Sequence, residues 1–224
     1  MTRPARGFGH VGTWIFDLDN TLYPADCDLF AQVDRRMGTF IARFLGVPEE
    51  YAHHLRKTYY RQFGTTLSGL MQVHNMDPGP FLDYVHDVDL SVVAEHPELA
   101  AALGRLQGRR LIFTNGSRRH AERVAGKLGV LHLFEDICDI AALAYVPKPH
   151  AAAYAAFAQR HAVAAHAAAM FEDMAHNLVE PHALGMTTVL VQTRRGAESP
   201  PEHIHHIAED LCAFLAKIGG VSQG

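Results

Sequence analysis

The stretch that most constrains this chain is Trp14-Ile-Phe-Asp-Leu-Asp-Asn-Thr-Leu-Tyr23. Its apolar run, Trp14 to Phe16, is too short for a helix and reads as a buried strand. The run ends at once in Asp17-Leu18-Asp19-Asn20-Thr21. Two carboxylates two positions apart at the end of a buried strand are costly to desolvate unless something pairs with them. A hard divalent cation such as Mg2+ meets that need, because it takes oxygen ligands and few of them must come from protein. The plainer alternative is an acidic turn that ends the strand, with Asn20 as the turn residue. The rest of the chain decides between them.

After Pro24 the pattern turns helical. Phe30, Val33, Met37, Phe40, Ile41 and Phe44 recur at helical spacing behind a cap at Asp26 or Asp28, and Gly46 ends the run. Pro48 opens a second helix that reaches Phe63. Leu67, Leu70, Met71 and His74 predict a third. Asp77-Pro78-Gly79-Pro80 reads as a turn, with a helical turn or two from Phe81 to Asp87. Pro97 opens a helix over Glu98 to Gln107, closed by Gly108. No strand interrupts residues 24–96, so they are expected to form a helical cap domain. The core is then 1–23 together with 97–224.

From Arg109 onward strand and helix alternate. Strands are expected at Leu111–Phe113, Asp136–Ile140, Ala168–Phe171 and Thr187–Val191. Helices are expected over Arg118–Leu128, capped by Ser117, over His150–His161 and over His176–Leu184. The last segment, with Ile204, Ile207, Leu211, Phe214, Leu215 and Ile218, predicts one amphipathic helix that carries His203, His205 and His206 on its surface. The alternation implies an α/β fold, a doubly wound parallel sheet. In such sheets ligands bind beyond the carboxyl ends of the strands. Four polar clusters fall there: Asp17 with Asp19, Thr114 with Asn115, Lys148, and Glu172 with Asp173.

In order and character these clusters resemble the four motifs of the haloacid dehalogenase-like (HAD) phosphohydrolases: DLDNT, IFTNGS, VPKPH and MFEDMAHN. The resemblance spans the core and implies its roles. Asp17 is then the nucleophile that gives an aspartyl-phosphate. Asp19 protonates the leaving oxygen and afterwards activates water. Thr114 and the amide of Asn115 bind phosphate oxygens, and Lys148 offsets anionic charge. Mg2+ is held by Asp17, the carbonyl of Asp19 and Asp173, with Asn177 in support. Glu172 stands where the family varies. Asp19 also argues against a haloacid dehalogenase, since halide leaves without a proton.

Within the family, the segment Tyr60-Arg-Gln-Phe-Gly-Thr-Thr-Leu-Ser-Gly-Leu70, with the later Val85-His86-Asp87, resembles the pyrimidine 5'-nucleotidase group, whose YxxYGxxxxGL segment has Tyr where Phe63 stands here. The resemblance implies a pyrimidine nucleoside monophosphate as substrate, with Gly64 and Thr65 facing it. The rivals are a sugar phosphate or phosphoglycolate phosphatase and a non-catalytic phosphate-binding protein on the same fold.

Composition removes other classes. The formal net charge of -4 comes with no basic stripe or arm, which argues against a nucleic acid polymer as partner. Arg109-Arg110, Arg118-Arg119 and Arg194-Arg195 are isolated pairs, read as solvated. No apolar run reaches membrane-spanning length, and Met1 to Gly12 reads as a loose tail without an apolar signal core. The 3 cysteines, Cys27, Cys138 and Cys212, are far apart and read as free thiols in a reducing compartment. A cytoplasmic monomer or homodimer is expected. Among the 16 histidines, the spacing of His203, His205 and His206 matches no known zinc pattern.

Overall fold

Thr13–Phe16 (β1) is buried along its whole length and lies at the centre of a parallel sheet. The computed structural model describes residues 6–192 and 200–219 of the chain, so Arg194 and Arg195 lie outside the described residues. The other strands are Arg109–Phe113 (β2), Asp136–Cys138 (β3), Ala168–Glu172 (β4), Thr187–Val191 (β5) and His206–Ala208 (β6). Their order is β3-β2-β1-β4-β5-β6, and every pairing is parallel. Phe16 stands opposite both Ile112 and Phe171. The strand order reverses between β1 and β4, and this is where a doubly wound sheet opens a crevice.

Side chains alternate across β1 as the pleat demands. Trp14 and Phe16 enter one buried cluster with Phe171, whose ring stacks on Phe16 at 4.6 Å between centroids. Ile15 enters the other, with Phe113, Tyr154, Phe157 and Met170. Burial on both faces explains the unbroken apolar runs in the strands.

Leu29–Leu45 (α1), Glu49–Phe63 (α2), Thr66–His74 (α3) and Pro78–Val85 (α4) separate β1 from β2, followed by Pro97–Gly104 (α5). α1 packs on α2 and α4, and α2 on α3. The buried cluster that holds Trp14 runs on into this segment through Leu22, Tyr23 and Leu29. The remaining helices are Arg118–Lys127 (α6), Ala151–Arg160 (α7), Val179–Ala183 (α8) and Leu211–Gly219 (α9).

Several local expectations are corrected. The final segment is not one helix: His206–Ala208 pairs with Val189–Val191, and only Leu211–Gly219 is helical. Backbone pairing at the sheet edge wins over the helical spacing of Ile204 and Ile207. The three nearby histidines are therefore not on a helix. His203 Nε2 lies 2.8 Å from the Ala175 carbonyl, His205 Nδ1 2.8 Å from Thr188 Oγ1, and His206 Nε2 2.7 Å from the Arg6 carbonyl.

The turn expected at Asp77 instead begins α4, because Asp77 accepts from the Gly79 N–H at 3.0 Å and Pro78 suits the first helical position. Asp28 precedes α1 but makes no side-chain capping bond. α5 ends at Gly104, short of Gln107. The helix expected from His176 is a 3-10 turn, Ala175–Leu178, that leads into α8.

Residues 6–12 are docked. Arg6 donates to the Gly185 carbonyl at 2.6 Å, and the Phe8 ring lies 5.9 Å from Trp14 and 5.8 Å from Phe214. Two of the described basic pairs are engaged: Arg109 forks onto Glu135 at 2.9 and 2.8 Å, and Arg118 pairs with Asp136. Cys27, Cys138 and Cys212 are free thiols. Among the described residues, no helix is long and apolar enough to cross a membrane.

Candidate active site

Asp17 sits one residue past β1, and its N–H continues the ladder by donating to the Phe171 carbonyl at 2.9 Å. That places its carboxylate at the sheet's carboxyl edge. Lys148 reaches it from the loop before α7 and is 1% exposed. Its Nζ donates to Asp17 Oδ1 at 2.7 Å, to Glu172 Oε2 at 2.7 Å and to the Phe113 carbonyl at 2.9 Å. All three ammonium protons are thus used. Burial opposes the charge on Lys148, but Asp17 and Glu172 outweigh it and hold the ammonium above its ordinary pKa. The Asn115 amide fixes this loop: it donates to the Lys148 carbonyl at 3.1 Å and accepts the Lys148 N–H at 2.9 Å.

Glu172 ends β4 and Asp173 follows it. Ligand oxygens of Asp17, Glu172 and Asp173 lie within 4.8 Å of one another. Crowding has its electrostatic consequence. Burial, and then Glu172, push the Asp17 carboxyl up to about 7 despite Lys148. Burial, and then Asp17 and Glu172, push Asp173 up to about 9. Asn177 is buried, and its Oδ1 has no partner among the described residues. Three mutually repelling carboxylates and an unpartnered amide oxygen form an all-oxygen donor set. That set fits a hard cation such as Mg2+ and suits no soft metal.

The Asp19 side chain is turned away from this cluster. Its Oδ1 accepts from the Tyr23 hydroxyl at 2.5 Å and lies 2.9 Å from His120 Nε2. Burial alone raises its pKa, but the His120 and Tyr23 bonds prevail and hold the carboxyl below its ordinary value. Burial, and then the Asp19 charge and its hydrogen bond, raise the Tyr23 hydroxyl above its ordinary pKa. Thr114 is buried after β2, and its Oγ1 accepts from the Gly116 N–H at 2.9 Å, so its hydroxyl proton remains free to donate.

A cavity of about 560 Å³ lies above these groups, and Asp17, Asp19, Thr114, Lys148 and Asp173 line its floor. Asp34, Arg56, Tyr60, Gly64 and Thr65 line it from the helical side. Gly64 has a φ of +81°, and a Cβ there would meet His150 at 3.4 Å and Pro147 at 3.7 Å. Thr65 caps α3 by accepting from the Ser68 N–H at 3.0 Å. Tyr60 reaches across to His176, 3.4 Å from Oη to Nε2.

The structure thus brings Asp17, Asp19, Thr114, Asn115, Lys148, Asp173, Asn177, Gly64 and Thr65 around one cavity. Sequence reasoning missed Tyr23 and His120 on Asp19, Glu172 as a partner of Lys148, and the Asn115 side chain. Only Tyr23, four residues after Asp19, carried a local signal.

A family model described as haloacid dehalogenase-like hydrolase matches residues 11–178, more than half of the chain. The chain belongs to that family. Among curated relatives, Phosphate metabolism protein 8 of Saccharomyces cerevisiae is 28% identical over 136 residues, 55% of this chain. The match spans 42% of that yeast protein, less than half its length. Solved HAD-like folds superpose along most of the chain. The HAD phosphatase of Thermococcus onnurineus has a TM-score of 0.64 at 15% identity and covers 96% of this chain and 100% of its own. The L-2-haloacid dehalogenase of Xanthobacter autotrophicus with covalently bound chloropropionic acid has a TM-score of 0.59 at 14% identity, covering 95% and 100%. At such identities the likeness shows the fold alone.

Proposed function

We propose that the chain is a Mg2+-dependent phosphomonoesterase that works through an aspartyl-phosphate, with pyrimidine nucleoside 5'-monophosphates as substrates. One observation carries the phosphatase reading. A charge-compensated carboxylate, Asp17 on Lys148, stands beside a second carboxylate, Asp19, that is kept out of the cluster by its own hydrogen bonds. This supplies a nucleophile and a separate proton carrier. A halide needs no proton on departure, whereas an alkoxide does.

In this mechanism Lys148 holds Asp17 Oδ1, and Oδ2 attacks phosphorus. The ester P–O bond breaks as Asp19 gives its proton to the leaving oxygen. The proton arrives with the substrate, because a phosphate monoester with a second pKa of about 6 is partly monoanionic near neutrality. Water then attacks phosphorus and yields a proton to Asp19 as the bond to Asp17 breaks, and that proton leaves on the departing phosphate, so both carboxyls return to their starting states. Thr114 and the Asn115 amide hold the equatorial oxygens. Asp17, the Asp19 carbonyl, Asp173 and Asn177 would hold Mg2+, which would supply positive charge against the phosphoryl oxygens.

Residues 24–96 act as a cap on a core of 1–23 and 97–224, closing over the substrate to exclude water. The pyrimidine part of the reading is supported by the Tyr60–Leu70 segment, whose Tyr60, Gly64 and Thr65 line the cavity. The test is hydrolysis of a panel of phosphate esters. Turnover is expected to vanish in EDTA and return with Mg2+. Asp17→Asn is expected to lose about 10³-fold or more. Full turnover by a verified metal-free preparation, or dehalogenation of a 2-haloacid in place of ester cleavage, would overturn the reading.

A further inference from the structure

Both donors to Asp19 fall on the same oxygen. Tyr23 Oη and His120 Nε2 lie 2.5 and 2.9 Å from Oδ1, and no hydrogen bond reaches Oδ2 among the described residues. Oδ2 is therefore the oxygen left available to the cavity that Asp19 lines. Of the two His120 ring nitrogens, Nε2 faces Asp19, and Nδ1 is buried without a partner among the described residues.

The His120 ring cannot swing away. Its side chain is 0% exposed, and the His86 ring lies flat against it at 4.4 Å and 14°. His86 is fixed in turn: its Nδ1 lies 2.9 Å from Ser117 Oγ, and Arg123 donates to its carbonyl at 3.0 Å. His86 comes from the end of α4 and His120 from α6, so the two sides of the junction between helical segment and sheet unit meet behind Asp19.

We propose that His120, backed by His86, is a positioning residue that with Tyr23 clamps Asp19 Oδ1, so that Oδ2 alone exchanges the proton with the leaving group. The proposal rests on the phosphatase reading of Asp19. A loose carboxylate would present either oxygen at varying distance, and proton transfer requires hydrogen-bond reach in a fixed geometry. The clamp therefore matters in proportion to how much the leaving oxygen needs a proton.

The experiment compares kcat/KM for phenyl phosphate and 4-nitrophenyl phosphate, two esters of similar shape. 4-Nitrophenolate leaves well without a proton, and phenolate does not. kcat/KM reports formation of the aspartyl-phosphate, so the later attack of water does not enter. His120→Ala is expected to lose about 10²-fold on phenyl phosphate and within about 10-fold on 4-nitrophenyl phosphate. Tyr23→Phe removes only the hydroxyl and is expected to shift the ratio the same way by less. His120→Gln, which keeps an N–H donor, is expected to recover part of the phenyl phosphate loss. If His120→Ala does not fold, Tyr23→Phe and His120→Gln carry the test. Equal losses on both esters would overturn the clamp and leave the phosphatase reading intact. Failure of the unaltered protein to cleave either ester would remove the phosphatase reading, and the clamp with it.

Discussion

Asp17 and Asp173 are held in the metal-free chain at about 7 and about 9, against an ordinary value of 3.8. Between that value and the raised ones the folded state binds protons that the unfolded chain releases. Stability therefore falls as pH rises through this window. The metal-free protein is expected to lose thermal stability steadily between about pH 5 and pH 9. Mg2+ is expected to raise Tm, and more so at the alkaline end, since a metal binds the deprotonated carboxylates. Asp173→Asn is expected to flatten the metal-free profile by removing one of the two raised groups. Calorimetry in EDTA and in Mg2+ across this range checks all three. A metal-free profile that is level, or that rises with pH, would contradict the crowding. Asp17, Thr114, Lys148 and Asp173 were legible as candidates because each follows a recognisable strand or loop in linear order. His120 was not. It lies 101 positions from Asp19 on the first turn of a helix, and only folding brings them together.

At the scale of elements, the approach of α2 to α3 depends on one missing side chain. A Cβ at Gly69 would sit 2.4 Å from the Cβ of Tyr59 and 2.5 Å from its ring. Tyr59 is buried between the two helices, and its backbone-proximal atoms cannot retreat as a flexible chain end can. Gly69→Ala is expected to destabilise by about 1–3 kcal/mol. In a domain of this size that lowers Tm by roughly 2–4 °C per kcal/mol. Gly38, inside α1, has nothing within 4 Å of the same added atom. Gly38→Ala is thus the internal control, expected to stabilise by about 0.5–1 kcal/mol through helix propensity. Opposite signs in thermal melts support the close approach, and similar effects of both changes would deny it. Sequence periodicity located α1, α2 and α3 because each presents an apolar face long enough to read. It misread His206–Ala208, a strand of 3 residues whose identity depends on pairing with β5. It also missed that Asp77 caps α4, because an Asp-Pro-Gly-Pro run starts turns and helices with the same residues.

At the scale of the whole molecule, the floor and the roof of the cavity have different tasks in the proposed reaction. In that reaction the floor groups at the sheet edge meet only the phosphoryl group and its ester oxygen, which every phosphate monoester shares. Any preference among esters must then come from the helical segment above. There the walls combine apolar Phe30, Met37 and Phe81 with Asp34 and Arg56. Arg56 is ion-paired with Asp34, while its Nε is buried without a partner among the described residues. A cavity of about 560 Å³ lies within the range that holds a ligand of nucleotide size. Apolar walls suit the faces of one aromatic ring, and an adjacent donor and acceptor suit the polar edge of a pyrimidine. A purine brings a second ring into the same space, and buried polar groups left unpaired add to its cost. UMP is therefore expected to exceed AMP in kcat/KM by at least about 10-fold under saturating Mg2+. Arg56→Ala is expected to reduce that ratio while leaving turnover of 4-nitrophenyl phosphate, which has no base edge to read, within about 3-fold. A UMP to AMP ratio near one, or a sugar phosphate cleaved far faster than any nucleotide, would leave the phosphatase reading standing and remove the pyrimidine preference.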